Sequence, residues 1–406
     1  MKRSDTKENE PVSRRSFLGV AVATLGVGIA TVPDGFAESA TRVIDSDSQY
    51  PASSGPENKK TASPHITSLI KKTPHFTSGF GSLTHVNADD LHILNRLSIR
   101  RLILSQRGVR EPHWHPNAHE LGYCLRGKHL ITIASNQSSR NSFVISKGEM
   151  FFVPSGALHH IENIGTEEGE LIIGFSHERP EDFGLSGTFG CFTDAVLGNT
   201  LGVPATALAK VKKTSQDTTL GGRDTDAIIE RQERETNPYK YSLEAIPPRI
   251  NSAVGSAHTA SSLVWPELQN LAMFSVDLNS QGMREIHWHP ETAEMGYVAV
   301  GKGRMTIVSP GGVADTYEMT AGDVYFVPRG YPHHIEDLGK GDLRLLVFFD
   351  QSIPGDIGVK TAVSCFSREV LAATFKVAPS AFPEFPFTDR DPLFVPRINP
   401  VDPVEE

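Results

Sequence analysis

Cysteine is scarce in this chain: Cys124, Cys191 and Cys365 are the only three among 406 residues. An odd count with no spacing motif excludes a disulfide framework and fits buried free thiols. Excess positive charge is missing too. The formal net charge of −9 leaves no electrostatic footprint for nucleic acid and implies no attraction to a membrane surface. Nor is there a long hydrophobic run: Gly19 to Val32 is mildly apolar, but too short and too rich in glycine for a stable membrane span. What remains, 38% hydrophobic and 21% charged residues, is the composition of a soluble globular chain, long enough for two or three domains.

The N-terminus reads as an address. Lys2 and Arg3 open a basic region, Ser13-Arg14-Arg15-Ser16-Phe17-Leu18 has the form of a twin-arginine signal, and Gly35 and Ala37 fit cleavage after Ala37. Residues 1–37 are therefore expected to engage the twin-arginine export machinery and deliver a folded protein to the periplasm or beyond. Residues 38–70, rich in Ser, Pro, Asp and Lys without an apolar period, read as a flexible linker.

One stretch occurs twice. Arg110-Glu111-Pro112-His113-Trp114-His115 is followed by Glu120, and Arg284-Glu285-Ile286-His287-Trp288-His289 by Glu294. On a β-strand His113 and His115 share a face, so two imidazoles converge, and a carboxylate five residues on can close on the same point if the strand turns or bulges. A further ligand stands downstream. His159 follows Pro154-Ser155-Gly156 and His333 follows Pro328-Arg329-Gly330, turns that can bring a second strand back toward the first. Every one of these positions recurs at a single offset (287 − 113 = 174), as do Cys191 and Cys365, so the chain carries a gapless duplication from Gly108/Gly282 to at least Cys191/Cys365. The metal ligands are read as His113, His115, Glu120 and His159 in one lobe and His287, His289, Glu294 and His333 in the other. His160 and His334 must face the opposite side of their strands, and His119, replaced by Ala293 in the second copy, reads as a surface residue.

Short apolar segments punctuated by Gly, Pro or Asn argue for all-β barrels or sandwiches. Leu102–Leu104, Leu121–Leu125, His129–Ala134, Ser142–Ile145, Met150–Val153 and Leu171–Phe175 are the expected strands of the first lobe; Arg304–Val308, Val324–Val327 and Leu343–Phe349 are the clearest of the second. Short helices are expected after each barrel, at Ala195–Leu201 and Ala205–Lys213 in the first. The lobes span residues 71–213 and 239–378, with a polar connector at 214–238 and a Pro-rich tail at 379–406. That tail should form an extended arm, on the body or on a neighbouring subunit.

These residues carry a family resemblance. Both lobes hold the two signature motifs of the cupin superfamily, Arg-Glu-x-His-x-His-x4-Glu-x6-Gly, ending at Gly127 and Gly301, and Gly-x5-Pro-x-Gly-x2-His-x3-Asn, ending at Asn163 and, with Asp in place of Asn, at Asp337. Within that superfamily the chain most resembles the microbial oxalate decarboxylases, through Arg-Glu-x-His-Trp-His and Gly301-Lys302-Gly303-Arg304-Met305-Thr306. The resemblance implies a bicupin: one double-stranded β-helix (jelly-roll) barrel per lobe, one Mn(II) in each, dioxygen as cofactor, and a homo-oligomer. It further implies that oxalate is cleaved to formate and carbon dioxide, with Arg110 and Arg284 holding the substrate carboxylate and a lid glutamate donating a proton.

Three neutral imidazoles and one carboxylate suit Mn(II) or Fe(II) with two open positions; copper or zinc would win on affinity, but folding before export lets the protein load with the metal available inside the cell. At the lid the chain departs from the family, because Arg179 stands where the family has the acid. Glu178 and Glu181 are the candidate catalytic residues in its stead, and only Asp356 is offered by the second lid, with Val347 replacing a further family Glu. The first lobe is therefore the favoured catalytic one. Loss of a lid acid in this family shifts products toward hydrogen peroxide, so an oxalate oxidase stays open, as does a bicupin that binds metal or ligand without turnover.

Overall fold

The computed structural model describes residues 64–136, 140–225, 237–339, 341–382, 385 and 390–399. The expected signal sequence, most of the expected linker, the middle of the expected connector and the last residues of the tail lie outside them.

The expected strands fall into two kinds, and the difference places them. Lys128–Ala134 and Arg140–Ser146 alternate buried and half-buried residues, as strands with one face in a core must. Met150–Val153 and Gly169–Phe175 are buried almost throughout. The alternating strands belong to a six-stranded sheet and the continuous ones to a seven-stranded sheet, and each lobe has one of each. The inner faces of the two sheets close a barrel over Leu102, Cys124, Ile131, Phe143, Phe151 and Ile173 in the first lobe, and over Val276, Met305, Tyr325 and Val347 in the second. The outer faces of the two seven-stranded sheets pack on each other, Leu121, Tyr123, Phe152 and Ile172 joining Met295, Tyr297, Phe326 and Leu346 in one cluster. Burial on both faces is why these strands lack the period of two.

The 174-residue offset reaches further than the motifs. It relates Gly81–Val86 to Gly255–Ala260, Ser98–Leu104 to Ala272–Leu278 and Leu220–Gly222 to Phe394–Pro396. It also relates two strands that cross between lobes. Ile66–Ser68 pairs with Asp323–Tyr325 of the second lobe, and Lys240–Tyr241 pairs with Met150–Phe151 of the first. The expected boundaries shift accordingly. Part of the region read as linker is a strand of the second lobe, and the first strand after the connector completes the first lobe. Leu220–Gly222, inside the expected connector, and Phe394–Pro396, inside the Pro-rich tail, lie along the strands that begin the metal motifs. Periodicity cannot see strands this short, whose pairing partners are distant in sequence.

Helices Leu185–Gly190 and Asp194–Leu201 close the first lobe, the second capped by the Thr193 side chain; Val359–Val363 and Arg368–Phe375, capped by Ser367, close the second. The helix expected over 205–213 is instead a single 3-10 turn at Ala205–Leu208. The thiols also differ from expectation: Cys124 is buried, but Cys191 and Cys365 are exposed in the turns between the closing helices.

His129 is fully buried, its ring packed against Gly169, and burial pushes its pKa down to about 4 despite a hydrogen bond to the Arg126 carbonyl. A histidine held neutral in the fold and free to charge when unfolded stabilises fully above its ordinary pKa near 6.5, and that contribution is lost as pH falls from there toward 4. Two and a half units amount to roughly 3 kcal/mol. In urea unfolding at pH 7 and at pH 4.5, His129→Gln should therefore lose distinctly less stability on acidification than the wild type. Equal losses would show that His129 does not carry this dependence.

Candidate metal centres

Strand Gly108–Trp114 runs antiparallel to Leu158–Asn163, and His113 lies directly opposite His159. The next imidazole, His115, follows the end of the strand, and Glu120 is the first residue of Glu120–Arg126. The carboxylate thus comes from the next strand, across the Pro116–His119 turn. Gly156, at φ 77°, makes the turn before His159 and ties back through its N–H to the His115 carbonyl at 2.8 Å; Gly330, at φ 76°, repeats this with His289 at 2.9 Å. In each lobe the four candidate ligands are buried, and their ligating atoms lie within 4.8 Å of one another.

The hydrogen bonds around the rings decide what the centre can hold. The Nδ1 atoms of His113, His115 and His159 face the carbonyls of Glu111, Glu181 and Ala157 at 2.8, 2.9 and 3.0 Å, and those of His287, His289 and His333 face Glu285, Gly355 and Tyr331 at 2.7, 2.7 and 3.0 Å. Donation at Nδ1 leaves each Nε2 as a lone pair aimed inward. The Nε2 atoms of His115 and His159 nevertheless stand 2.9 and 3.1 Å from Glu120 Oε2. Lone pair against carboxylate is repulsive unless a proton or a cation lies between them. Burial, with Arg110 and the neighbouring imidazoles, holds His113 well below its usual pKa, which favours the neutral ligand form. Burial also lowers His115, but hydrogen bonds to Asp182 and Glu120 outweigh it and hold it above its usual value. Glu120 is kept ionised despite its burial by His159 and His115. Its Oε1 is buried and has no hydrogen-bond partner, as an oxygen facing a cation would be. The donor set therefore fits a divalent ion bound by three nitrogens and a carboxylate.

The second centre differs at that oxygen. Glu294 Oε1 accepts a 2.7 Å hydrogen bond from Tyr325, whose counterpart in the first lobe is Phe151. Burial and the Glu294 charge push the Tyr325 pKa well up, so its O–H remains a donor.

Strand parity would point Arg110 away from the ligands. A bulge reverses this: His113 pairs with His159, but Arg110, three residues earlier, pairs with Ile161, only two residues later, and Arg284 and Ile335 repeat the shift. Both guanidinia are buried. Arg110 donates to the Thr219 carbonyl at 3.3 Å and reaches Asp182 at 3.5 Å; Arg284 donates to the Leu393 carbonyl at 3.1 Å and bonds Asp356. Glu111 and Glu285 are not their partners. Each accepts backbone N–H groups instead, from Ser186 and Thr219 in one lobe and from Lys360 in the other.

The lid places the two candidate proton donors differently. Glu178 accepts the Arg96 N–H at 2.9 Å, a bond that helps hold its carboxyl below the usual range against partial burial. Glu181 is exposed; its backbone N–H donates to Asn117 and its carbonyl takes the His115 Nδ1 proton. Neither carboxylate touches Arg110 or a ligand. Asp182 does, 2.8 Å from His115 Nδ1, with Arg100 as a second guanidinium partner at 2.8 Å. Sequence reasoning passed over Asp182, although its recurrence as Asp356 at the same offset was a signal. Arg100 had none, since Phe274 occupies its place in the second copy. Arg179 sits outside, paired with Asp89 at 2.9 Å. His160 and His334 turn outward toward Glu162 and Glu336, at 3.5 and 3.6 Å, while His119 stacks on Phe152 and accepts the Ser155 N–H.

Beside the second centre lies a cavity of about 430 Å³, solvent at its mouth included, lined by Arg284, Asp356 and the apolar side chains Phe274, Ile335, Val347 and Phe394. Among the described residues no helix is long and apolar enough to cross a membrane.

The cupin family model matches residues 67–206 and again 241–381. Oxalate decarboxylase OxdC of Bacillus subtilis (strain 168) is 29% identical over 289 residues, which cover 69% of this chain and 74% of that protein. A probable oxalate decarboxylase of Arthroderma benhamiae is 26% identical over 305 residues, 71% of this chain and 73% of the relative. Among solved structures, one of Bacillus subtilis oxalate decarboxylase, concerned with its Mn(II) centres, superposes with a TM-score of 0.73 at 23% identity, over 83% of this chain and 89% of that one.

Proposed function

The chain belongs to the cupin family in both of its halves, as a bicupin related to the oxalate decarboxylases, and from that membership we propose that it converts oxalate to formate and carbon dioxide with Mn(II) in each barrel and dioxygen as cofactor. The observation that carries the reading is the pairing, in each lobe, of a buried three-histidine, one-carboxylate centre with a buried arginine turned inward by a bulge. When bound, manganese supplies a positive charge and open positions for a small anion and dioxygen. The residues do the rest. Arg110 binds and orients a substrate carboxylate through its planar fork, and its own burial keeps bulk water from that contact. Once one carboxylate has left as carbon dioxide, a proton must reach the carbon left behind. Asp182 is unsuited to deliver it, since Arg100, His115 and Arg110 hold it ionised despite its partial burial. Glu178 is tied to Arg96. Glu181, exposed on a backbone anchored at both its N–H and its carbonyl, is the donor we assign, acting when the lid moves.

The decisive assay gives manganese-loaded protein oxalate and scores formate against hydrogen peroxide. Glu181→Ala should abolish most formate production, whereas Glu178→Ala should retain most of it. Full formate production by both variants would overturn the donor assignment. An oxalate oxidase is the second reading, favoured by the ionised state of the lid acid that touches the first centre, and peroxide without formate would establish it. Neither product would leave a binding protein. Catalysis in the first lobe, export of the folded protein through the twin-arginine pathway and assembly into a homo-oligomer belong to the same proposal; zinc or copper in protein recovered from the periplasm would contradict its metal.

A further inference from the structure

The mouths of the two centres carry different charge. In the second lobe one guanidinium, Arg284, faces one carboxylate, Asp356, and the neighbouring position on the barrel wall is Phe274. In the first lobe that position is Arg100, so two guanidinia share the single carboxylate of Asp182. Arg100 is buried, its NH1 donates to Asp182 Oδ1 at 3.0 Å and its NH2 lies 2.8 Å from Oδ2, a two-pronged contact. Its Nε is buried without a hydrogen-bond partner. The guanidinium lies 4.7 Å over the Phe175 ring, which in turn meets the edge of His115 at 4.9 Å, so the fork is held beside the metal ligands by packing.

We infer that Arg100 is a specificity-determining residue that makes the first pocket, and not the second, a site for small dicarboxylates. A substrate carboxylate takes the place of the Asp182 carboxylate on the Arg100 fork while Arg110 holds the other. Asp182, on the lid and partly exposed already, moves into water. The exchange replaces one carboxylate with another and keeps the hydrogen bonds, and the second positive charge offsets the desolvation of a dianion that one guanidinium would leave half-compensated. The inference rests on the proposed function only in taking oxalate as the dicarboxylate.

The test is calorimetric titration of oxalate and of acetate into manganese-loaded wild type, Arg100→Met, Arg100→Lys and Asp182→Asn, beside KM and kcat for oxalate. Arg100→Met should weaken oxalate about tenfold or more while acetate changes far less, with the loss appearing in KM rather than kcat; Arg100→Lys should fall between. Asp182→Asn should tighten oxalate, because the competing carboxylate is gone. If Arg100 merely anchors the lid, Asp182→Asn and Arg100→Met will weaken oxalate alike, and the inference falls. It falls too if oxalate does not bind the wild type. Oxalate that binds in an Arg100-dependent way without turnover removes the decarboxylase reading and leaves the inference standing.

Discussion

Glu120→Ala is expected to lower oxalate turnover by about a hundredfold or more and to remove one of two metal ions per chain, whereas Glu294→Ala removes the other ion and keeps most of the turnover. Glu120 is the only anionic ligand of its centre, and its Oε2 is the atom on which the His115 and His159 nitrogens converge. Without it three neutral imidazoles must balance a divalent charge in a buried site, with Arg110 nearby. A metal ion that stabilises developing charge contributes several kcal/mol, and each 1.4 kcal/mol is about tenfold in rate. The asymmetry follows from the lids, since the first offers glutamates and the second only Asp356, already bonded to Arg284. Elemental analysis of both variants, with formate production, checks the prediction. Turnover lost in Glu294→Ala and kept in Glu120→Ala would move the chemistry to the second lobe.

Phe348→Ala should destabilise the protein by about 3–5 kcal/mol in chemical denaturation while the metal content stays at two ions per chain. Phe348 is fully buried between the lobes, and its ring lies where a side chain at Gly174 would stand: a Cβ there would come within 2.5 Å of it. The two positions are related by the repeat, glycine in one copy and phenylalanine in the other, so the absent side chain in one copy makes room for the ring of the other. Truncation leaves a cavity the size of a phenyl ring, which Gly174 cannot fill. The side chain faces the partner sheet and not the barrel interior, so the ligands are spared. A loss below 1 kcal/mol would mean that the interface closes over the gap.

The two clusters of candidate metal ligands that the structure gathers could be named before any coordinate, because a His-x-His pair, a Glu and a distant His recur at one offset. The all-β fold and its two barrels were legible for the same reason. Arg110 was not placed by parity: the bulge depends on how the strand meets Leu158–Asn163, which no single strand records. Asp182 was passed over because attention fell on glutamates, although Asp356 repeats it. Arg100 is legible only in space, where the barrel wall brings it over Phe175 and onto the lid. The crossing strands escaped because Ile66 and Tyr325 stand 259 residues apart (325 − 66 = 259), and a run of three residues has no period of its own.

That crossing sets the order in which the protein can be completed. A chain of two barrels would ordinarily finish the first as it leaves the ribosome and then the second. Here the seven-stranded sheet of the first barrel lacks an edge strand until Lys240–Tyr241 has been made, and Ile66–Ser68 waits for Asp323–Tyr325, synthesised long after it. The first barrel is therefore complete only once the chain has passed Tyr241, and the second takes its edge strand from residues made before the first barrel.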